Sequence, residues 1–194
     1  MSHDPPRPAG RLLLTPQDKD APARVRRLRR LGLGERPEPA FDAFADHLAR
    51  VAAAPYSMVN FIDERQQFFA GLHTPDGARG ARLMAGVDGS ELEPGRYMAR
   101  DHGFCPHVVV RRKALVLEDV CDYPRFAGNP VVDEFGVRSY LGAPLLDRSG
   151  IALGTICVVD IEPRPWGRAG LETIKAMAAE LAGQLERRDE VHGI

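Results

Sequence analysis

The sequence lacks an apolar segment of membrane-spanning length and contains little cysteine. No run reaches the roughly 18 apolar residues that a transmembrane helix needs, and the first residues contain no apolar core of a secretory signal. Three cysteines among 194 residues favour free thiols over a disulfide framework. We therefore expect a cytoplasmic protein that does not insert into a membrane.

An excess of charge of one sign is also missing. The 26 Lys and Arg nearly balance the 27 Asp and Glu, which makes nucleic acid an unexpected partner. Four basic side chains nevertheless cluster on the first predicted helix, at Arg26, Arg27, Arg29 and Arg30. A solvated helix face explains them, and a surface for an anionic partner is the alternative.

Hydrophobic periodicity predicts one domain over residues 18–190, built from hairpins and helices. The proline-rich residues 1–17 predict a mobile leader, and residues 73–98, with five glycines, predict a long loop. Helices are predicted at 21–31, 40–53, 103–111 and 167–188, strands at 56–62, 67–72, 114–119, 139–146 and 152–160, and two short helical turns within 121–135. This order predicts an α+β fold, with the terminal helices on one face of an antiparallel sheet and loops over a pocket on the other.

The last predicted strand, residues 152–160, has apolar residues on both faces, as a central strand does. Strict alternation places Leu153, Cys157 and Val159 on one face, opposite Ile156 and Val158. Glycine 154 in this strand predicts a close approach by another part of the chain.

Four segments resemble motifs of the GAF domain family and occur in the family's order. They are VNFIDERQQFF at 59–69, ARDHGFCPHVV at 99–109, DYPRFAGNPVV at 122–132 and RSYLGAPLLDRSGIALGTICVVD at 138–160. The resemblance implies a six-stranded antiparallel sheet, a ligand pocket on one face, and terminal helices that pair in a homodimer. It implies a sensory domain that signals to a separate protein, such as a kinase or regulator.

The expected pocket side chains are aromatic or polar residues of these motifs. Aromatic rings offer flat apolar area, and an arginine can pair with an anionic ligand. The candidate ligand-binding residues are Phe104, Cys105, His107, Tyr123, Arg125, Phe126 and Tyr140. Each has a structural alternative, since phenylalanines often fill a core and an arginine can hold a turn. No cofactor other than an unknown small ligand is expected.

The spacing of His102, Cys105 and His107 raises the question of a metal site. At about 100° per residue, a helix turns His107 away from the other two side chains, so we predict no metal site. No catalytic residue is assigned, and we expect a non-enzymatic sensor. Two alternatives stay open: a thiol-based reductase of free methionine sulfoxide, which one branch of the family contains, and a scaffold whose pocket is filled by its own side chains.

Overall fold

The computed structural model describes residues 15–75 and 95–192, which form one six-stranded antiparallel sheet with helices on both faces. The strand order is β3-β2-β1-β6-β5-β4. The elements are α1 (Ala21–Arg30), α2 (Pro39–Ala52), β1 (Tyr56–Ile62), β2 (Gln66–His73), β3 (Tyr97–Ala99), α3 (Cys105–Arg111), β4 (Leu115–Leu117), a 3₁₀ turn (Val120–Asp122), α4 (Pro124–Ala127), α5 (Pro130–Phe135), β5 (Ser139–Leu146), β6 (Ala152–Asp160) and α6 (Gly167–His192). The predicted α+β fold is confirmed.

One strand of the sheet, β3, is not predicted by the periodicity of the sequence. β3 pairs with the start of β2 over three residues, so it is too short to show an alternating pattern. The predicted loop of 73–98 is consequently too long at both ends, because His73 belongs to β2 and Tyr97 to β3. The rest of that prediction, at 76–94, and the leader prediction for residues 1–14 lie outside the described residues. At the end of the predicted leader, Arg100 donates a hydrogen bond to the carbonyl of Pro16 (3.4 Å).

The sheet separates two apolar cores. On its helix face, α1, α2 and α6 bury a core that includes Leu28, Leu48, Ile174 and Leu181. The apolar stripes of α1 and α6, the terminal helices that are expected to pair in a homodimer, are thus largely used within the chain. On the other face, which we call the pocket face, α3, α4 and α5 cover a second core.

A β-bulge in β6 corrects the predicted alternation of that strand. The pairing with β5 shifts where Leu145 faces Gly154 and Leu146 faces Ala152, which leaves Leu153 as the extra residue. Leu153 packs in the helix-face core with Ile156 rather than on the pocket face with Cys157. The prediction for Leu153 is therefore wrong, because local sequence does not reveal a bulge. The close approach at Gly154 is confirmed, since a Cβ there would lie 2.0 Å from the backbone oxygen of Asn60.

A buried arginine fixes α1 to this bulge. Arg24, 1% exposed, donates from Nε to the carbonyl of Ala152 (3.0 Å) and from both terminal nitrogens to Asp18 (2.8 and 2.6 Å). Arg27 pairs with Asp147 (3.2 Å) and with Asp189 of α6 (2.7 Å). Among residues 15–75 and 95–192, the structure contains no helical segment with the length and hydropathy of a membrane span.

Candidate ligand pocket and buried cysteine pair

A chain of buried polar side chains crosses the centre of the pocket face. Asn60 of β1 donates a hydrogen bond to the side-chain oxygen of Gln67 in β2 (2.9 Å). Gln67 in turn donates to the carbonyls of Ala99 (2.8 Å) and His102 (2.7 Å). This chain holds the segment from β3 to α3 against the sheet. Buried polar groups are costly unless they are paired, so such a network specifies a precise local arrangement.

An asparagine joins the start of α3 to α5. Asn129 accepts a hydrogen bond from the backbone N–H of Gly103 and donates one to its carbonyl, each 2.8 Å long. Gly103 has a φ of +73°, a conformation that glycine adopts without strain. The motifs at 99–109 and 122–132 are thus held together by one reciprocal contact.

Two cysteines meet beside this chain. Cys105 begins α3, Cys157 lies in the middle of β6, and their sulfur atoms are 3.6 Å apart. The Cys105 sulfur is also 3.2 Å from the hydroxyl oxygen of Tyr140, which projects from β5. The Tyr140 ring lies over Gly142, where an added Cβ would be 2.2 Å from the hydroxyl oxygen. Glycine at position 142 therefore allows the ring to lie flat over the strand and point its hydroxyl at the thiols.

The surroundings of the two thiols separate their acidities. A hydrogen bond with Cys157, opposed by burial and supported by the Tyr140 hydroxyl, lowers the pKa of Cys105 below its usual value. The pKa of Cys157 is raised well above its usual value by the hydrogen bond to Cys105 and by burial. Burial also raises the pKa of Tyr140, so its hydroxyl remains protonated and can donate to the Cys105 sulfur.

A small cavity adjoins the sulfur pair. The cavity has a volume of about 40 Å³. Its walls are mostly apolar, and the polar side-chain groups that line it are one amide, one phenol and two thiols. Among its lining residues are Met58, Gln67, Met98, Phe104, Cys105, Tyr140 and Cys157. Apolar walls with a few convergent polar groups are typical of ligand sites, although ligand pockets usually measure about 300–1,000 Å³.

Aromatic packing closes the pocket next to this cavity. Phe104 contacts Phe126 and Tyr140 edge to face, with ring centroids 5.8 and 5.2 Å apart. His107 is 5% exposed, and its ring lies 5.0 Å from that of Phe126. Burial, followed by the positive charge of Arg125, lowers the pKa of His107 to about 4, so the ring is neutral near pH 7. Its Nδ1 has no hydrogen-bond partner among the described residues.

Five of the seven candidate residues therefore come together and two lie outside. Phe104, Cys105, His107, Phe126 and Tyr140 form the buried cluster. Tyr123 is 38% exposed, and Arg125 is exposed with its guanidinium carbon 5.8 Å from the Phe126 ring centroid. A ligand-binding role for these two stays a prediction, and it would require a ligand at the surface.

Sequence reasoning missed Asn60, Gln67 and Thr155. They lie within apolar strands, where a polar residue gives no periodic pattern that distinguishes it from a solvent-facing position. One feature could have identified Asn60 and Gln67: each interrupts a strand that is apolar on both faces, and a polar side chain in such a strand must find a buried partner. Their pairing requires the β1–β2 hairpin, which is bulged opposite Val59 and Asn60.

No group of three or more His, Cys, Asp or Glu side chains that could hold one metal ion occurs in the portion of the chain that the structure describes. His102 contacts Asp101, with Nδ1 2.8 Å from the carboxylate oxygen. Cys105 and His107 point into the buried cluster instead.

Comparison with known proteins identifies the family to which this chain is similar. A model of the GAF domain family matches residues 36–185. A cyclic di-GMP phosphodiesterase of Pseudomonas aeruginosa is 30% identical over 153 residues, which are 77% of this chain. The match covers only 23% of that relative, so this chain corresponds to about a quarter of its length.

Two solved structures show the same fold at low sequence identity. The GAF domain of a phosphoenolpyruvate-protein phosphotransferase from Coxiella burnetii superimposes with a TM-score of 0.59 at 15% identity, covering 91% of this chain and 100% of that one. A type II free methionine-R-sulfoxide reductase from Thermoplasma acidophilum superimposes with a TM-score of 0.55 at 11% identity, covering 76% of this chain and 91% of that one. Such identities establish the shared fold alone.

Proposed function

Because this chain belongs to the GAF domain family, we propose that it is a regulatory, non-enzymatic domain that senses a small molecule on the pocket face. The observation that carries the proposal is the cavity at the cysteine pair, where an apolar wall surrounds the polar groups of Gln67, Cys105 and Tyr140. A site of this composition binds a ligand by apolar contact and orients it through a few hydrogen bonds.

The size of the cavity limits the ligand. A space of about 40 Å³ holds a few water-sized groups, since one water needs roughly 10–15 Å³ by the same kind of measure. The proposed ligand is therefore a polar molecule of a few heavy atoms. Free methionine sulfoxide is larger than this space, so the reductase alternative would require α3 to move away from the sheet.

Native mass spectrometry tests this proposal. The protein purified from its own organism should carry an additional mass, and the variant Val137→Leu should lose it because Val137 lines the cavity. Val51→Leu is a matched control, since Val51 is 48% exposed on α2, which packs on the other face of the sheet. A wild-type protein without additional mass would contradict ligand binding.

A ligand-free scaffold is the second candidate function. It is favoured by the edge-to-face contacts of Phe104 with Phe126 and Tyr140, which place the chain's own rings against one another on the pocket face. A scaffold would show no additional mass and no stabilisation by any small molecule, whereas a sensor gains stability in proportion to ligand occupancy. Measuring the melting temperature against a library of small metabolites distinguishes the two.

We further propose that signalling uses a homodimer formed through α6. The inner stripe of α6 is buried, so the dimer would use the adjoining groove between α6 and β5, which measures about 740 Å³. Apolar residues form part of its floor and walls: Pro144, Leu146, Ala179 and Ala182. Ala179→Arg should then convert the dimer to a monomer in light scattering, while Glu64→Arg in the β1–β2 turn should not. The downstream partner, a kinase or another regulator, and the cytoplasmic location are parts of the same proposal.

A further inference from the structure

The two buried cysteines are placed to react with each other. Their sulfur atoms, 3.6 Å apart, would have to approach to about 2.05 Å to form a disulfide. The required movement is small, and one partner can supply it: Cys105 begins the seven-residue helix α3, whereas Cys157 is held in the central strand β6 between β1 and β5. Both thiols are free in the structure.

The contacts of the two sulfurs give them different chemical roles. The Cys105 sulfur lies 3.2 Å from the Tyr140 hydroxyl oxygen and 3.6 Å from the Cys157 sulfur, so both groups can donate a hydrogen bond to it once it loses its proton. Hydrogen bonding to its sulfur lowers the pKa of Cys105, which favours the thiolate, the nucleophilic form of cysteine. Cys157 stays protonated because its pKa is raised. Cys105 is therefore the attacking sulfur and Cys157 the second thiol.

The cavity next to the pair selects the oxidant by size. Cys105 and Cys157 both line it, and it has room for only a few water-sized groups. Hydrogen peroxide, with two heavy atoms, fits this space. A glutathione disulfide or a branched organic hydroperoxide does not.

We propose that Cys105 and Cys157 form an oxidisable dithiol that hydrogen peroxide converts into an intramolecular disulfide. The Cys105 thiolate attacks one peroxide oxygen and the O–O bond breaks, which gives a sulfenic acid and, after uptake of one proton, water. Cys157 then attacks the sulfenic sulfur, forming the S–S bond and releasing a second water. The protein loses two electrons, which the peroxide gains. A dithiol reductant restores both thiols by exchange.

This inference goes beyond the proposed ligand binding and does not depend on it. The disulfide would join α3 to β6 and remove the thiolate that Tyr140 contacts. β6 also carries Ala152, whose carbonyl binds Arg24 of α1. The strand that gains the covalent link is therefore in direct contact with a helix on the opposite face of the sheet.

The test uses the full chain carrying Cys121→Ser, because Cys121 is exposed and would react independently. After treatment with hydrogen peroxide the protein is denatured, alkylated with N-ethylmaleimide and weighed by mass spectrometry. We expect no alkylated cysteine and a mass lower by two hydrogens, formed faster as the pH rises, because only the thiolate attacks the peroxide. tert-Butyl hydroperoxide should react at least about tenfold more slowly, because it does not fit the cavity.

Two results would overturn the proposal. One is a protein that still alkylates at both cysteines after peroxide treatment, and the other is a mass that gains oxygen instead of losing two hydrogens. Equal rates with both peroxides would refute selection by the cavity. Adding Cys157→Ser should leave a sulfenic acid at Cys105 that dimedone traps. Adding Cys105→Ser should leave Cys157 unreactive, and equal labelling of Cys157 would refute the assigned roles.

Discussion

Replacing Gln67 by methionine should loosen the whole β3–α3 segment. Gln67 is fully buried, accepts a hydrogen bond from Asn60, and donates to the carbonyls of Ala99 and His102. Methionine has a similar length but forms none of these bonds. Three lost hydrogen bonds at about 1 kcal/mol each, with their former partners left in an apolar site, predict a loss of about 3 kcal/mol in the free energy of unfolding.

Urea unfolding and hydrogen exchange together measure this effect. The unfolding midpoint should fall, and amide exchange should increase at residues 97–105, which Gln67 holds against the sheet. Gln66→Met is the matched control, because Gln66 is exposed in the same strand, and a surface substitution there should change stability by less than about 0.5 kcal/mol. If Gln67→Met unfolds at the same urea concentration as this control, the polar chain does not hold the segment, and our description of the site is wrong.

Three further predictions concern positions that support the site. Arg24→Met should lower the free energy of unfolding, measured by chemical denaturation, by about 3–5 kcal/mol, because it leaves the buried Asp18 carboxylate without its main partner. Arg29→Met, on the exposed side of the same helix, should lower it by less than about 0.5 kcal/mol. Similar losses for the two variants would refute the anchoring role of Arg24. Gly154→Ala should lower the melting temperature strongly, since its Cβ would strike the backbone of β1, while Gly128→Ala has open space and should not. Because the pKa of His107 is lowered to about 4, the unfolded chain takes up a proton between about pH 6.5 and pH 4 that the folded chain does not. The free energy of unfolding should therefore fall as the pH drops through this range. His107→Gln should make this dependence on pH weaker.

Sequence reasoning located the regular elements well where their patterns are local. β1, β5 and β6 have the predicted bounds, and the helix predictions differ from the structure by a few residues at their ends. These elements have long apolar patterns of period 2 or 3.6 and are bounded by turn residues, so short-range physics suffices to define them. β3 was missed because three residues carry no period, and its pairing with β2 arises only in the folded sheet.

The candidate site was predicted in part, for the same reason. Phe104, Cys105, Phe126 and Tyr140 were identified from short motifs, and they do converge, whereas Tyr123 lies at the surface. The contact between Cys105 and Cys157 joins residues 52 positions apart, and the polar chain through Asn60 and Gln67 depends on the register of a bulged hairpin. Neither can be derived from spacing along the chain.

From the sequence alone follow the α+β class, the bounds of every element with a long apolar pattern to within a few residues, and the pocket-face positions of Phe104, Cys105 and Tyr140. Only the folded chain fixes how much space remains there, which groups contact each thiol, and which candidates lie at the surface, as Tyr123 and Arg125 do. The difference lies in how far apart along the chain the interacting groups are. Backbone propensity and hydrophobic periodicity act between neighbours in sequence, whereas cavity volume, burial and hydrogen bonding to a thiolate depend on groups that only the folded sheet brings together.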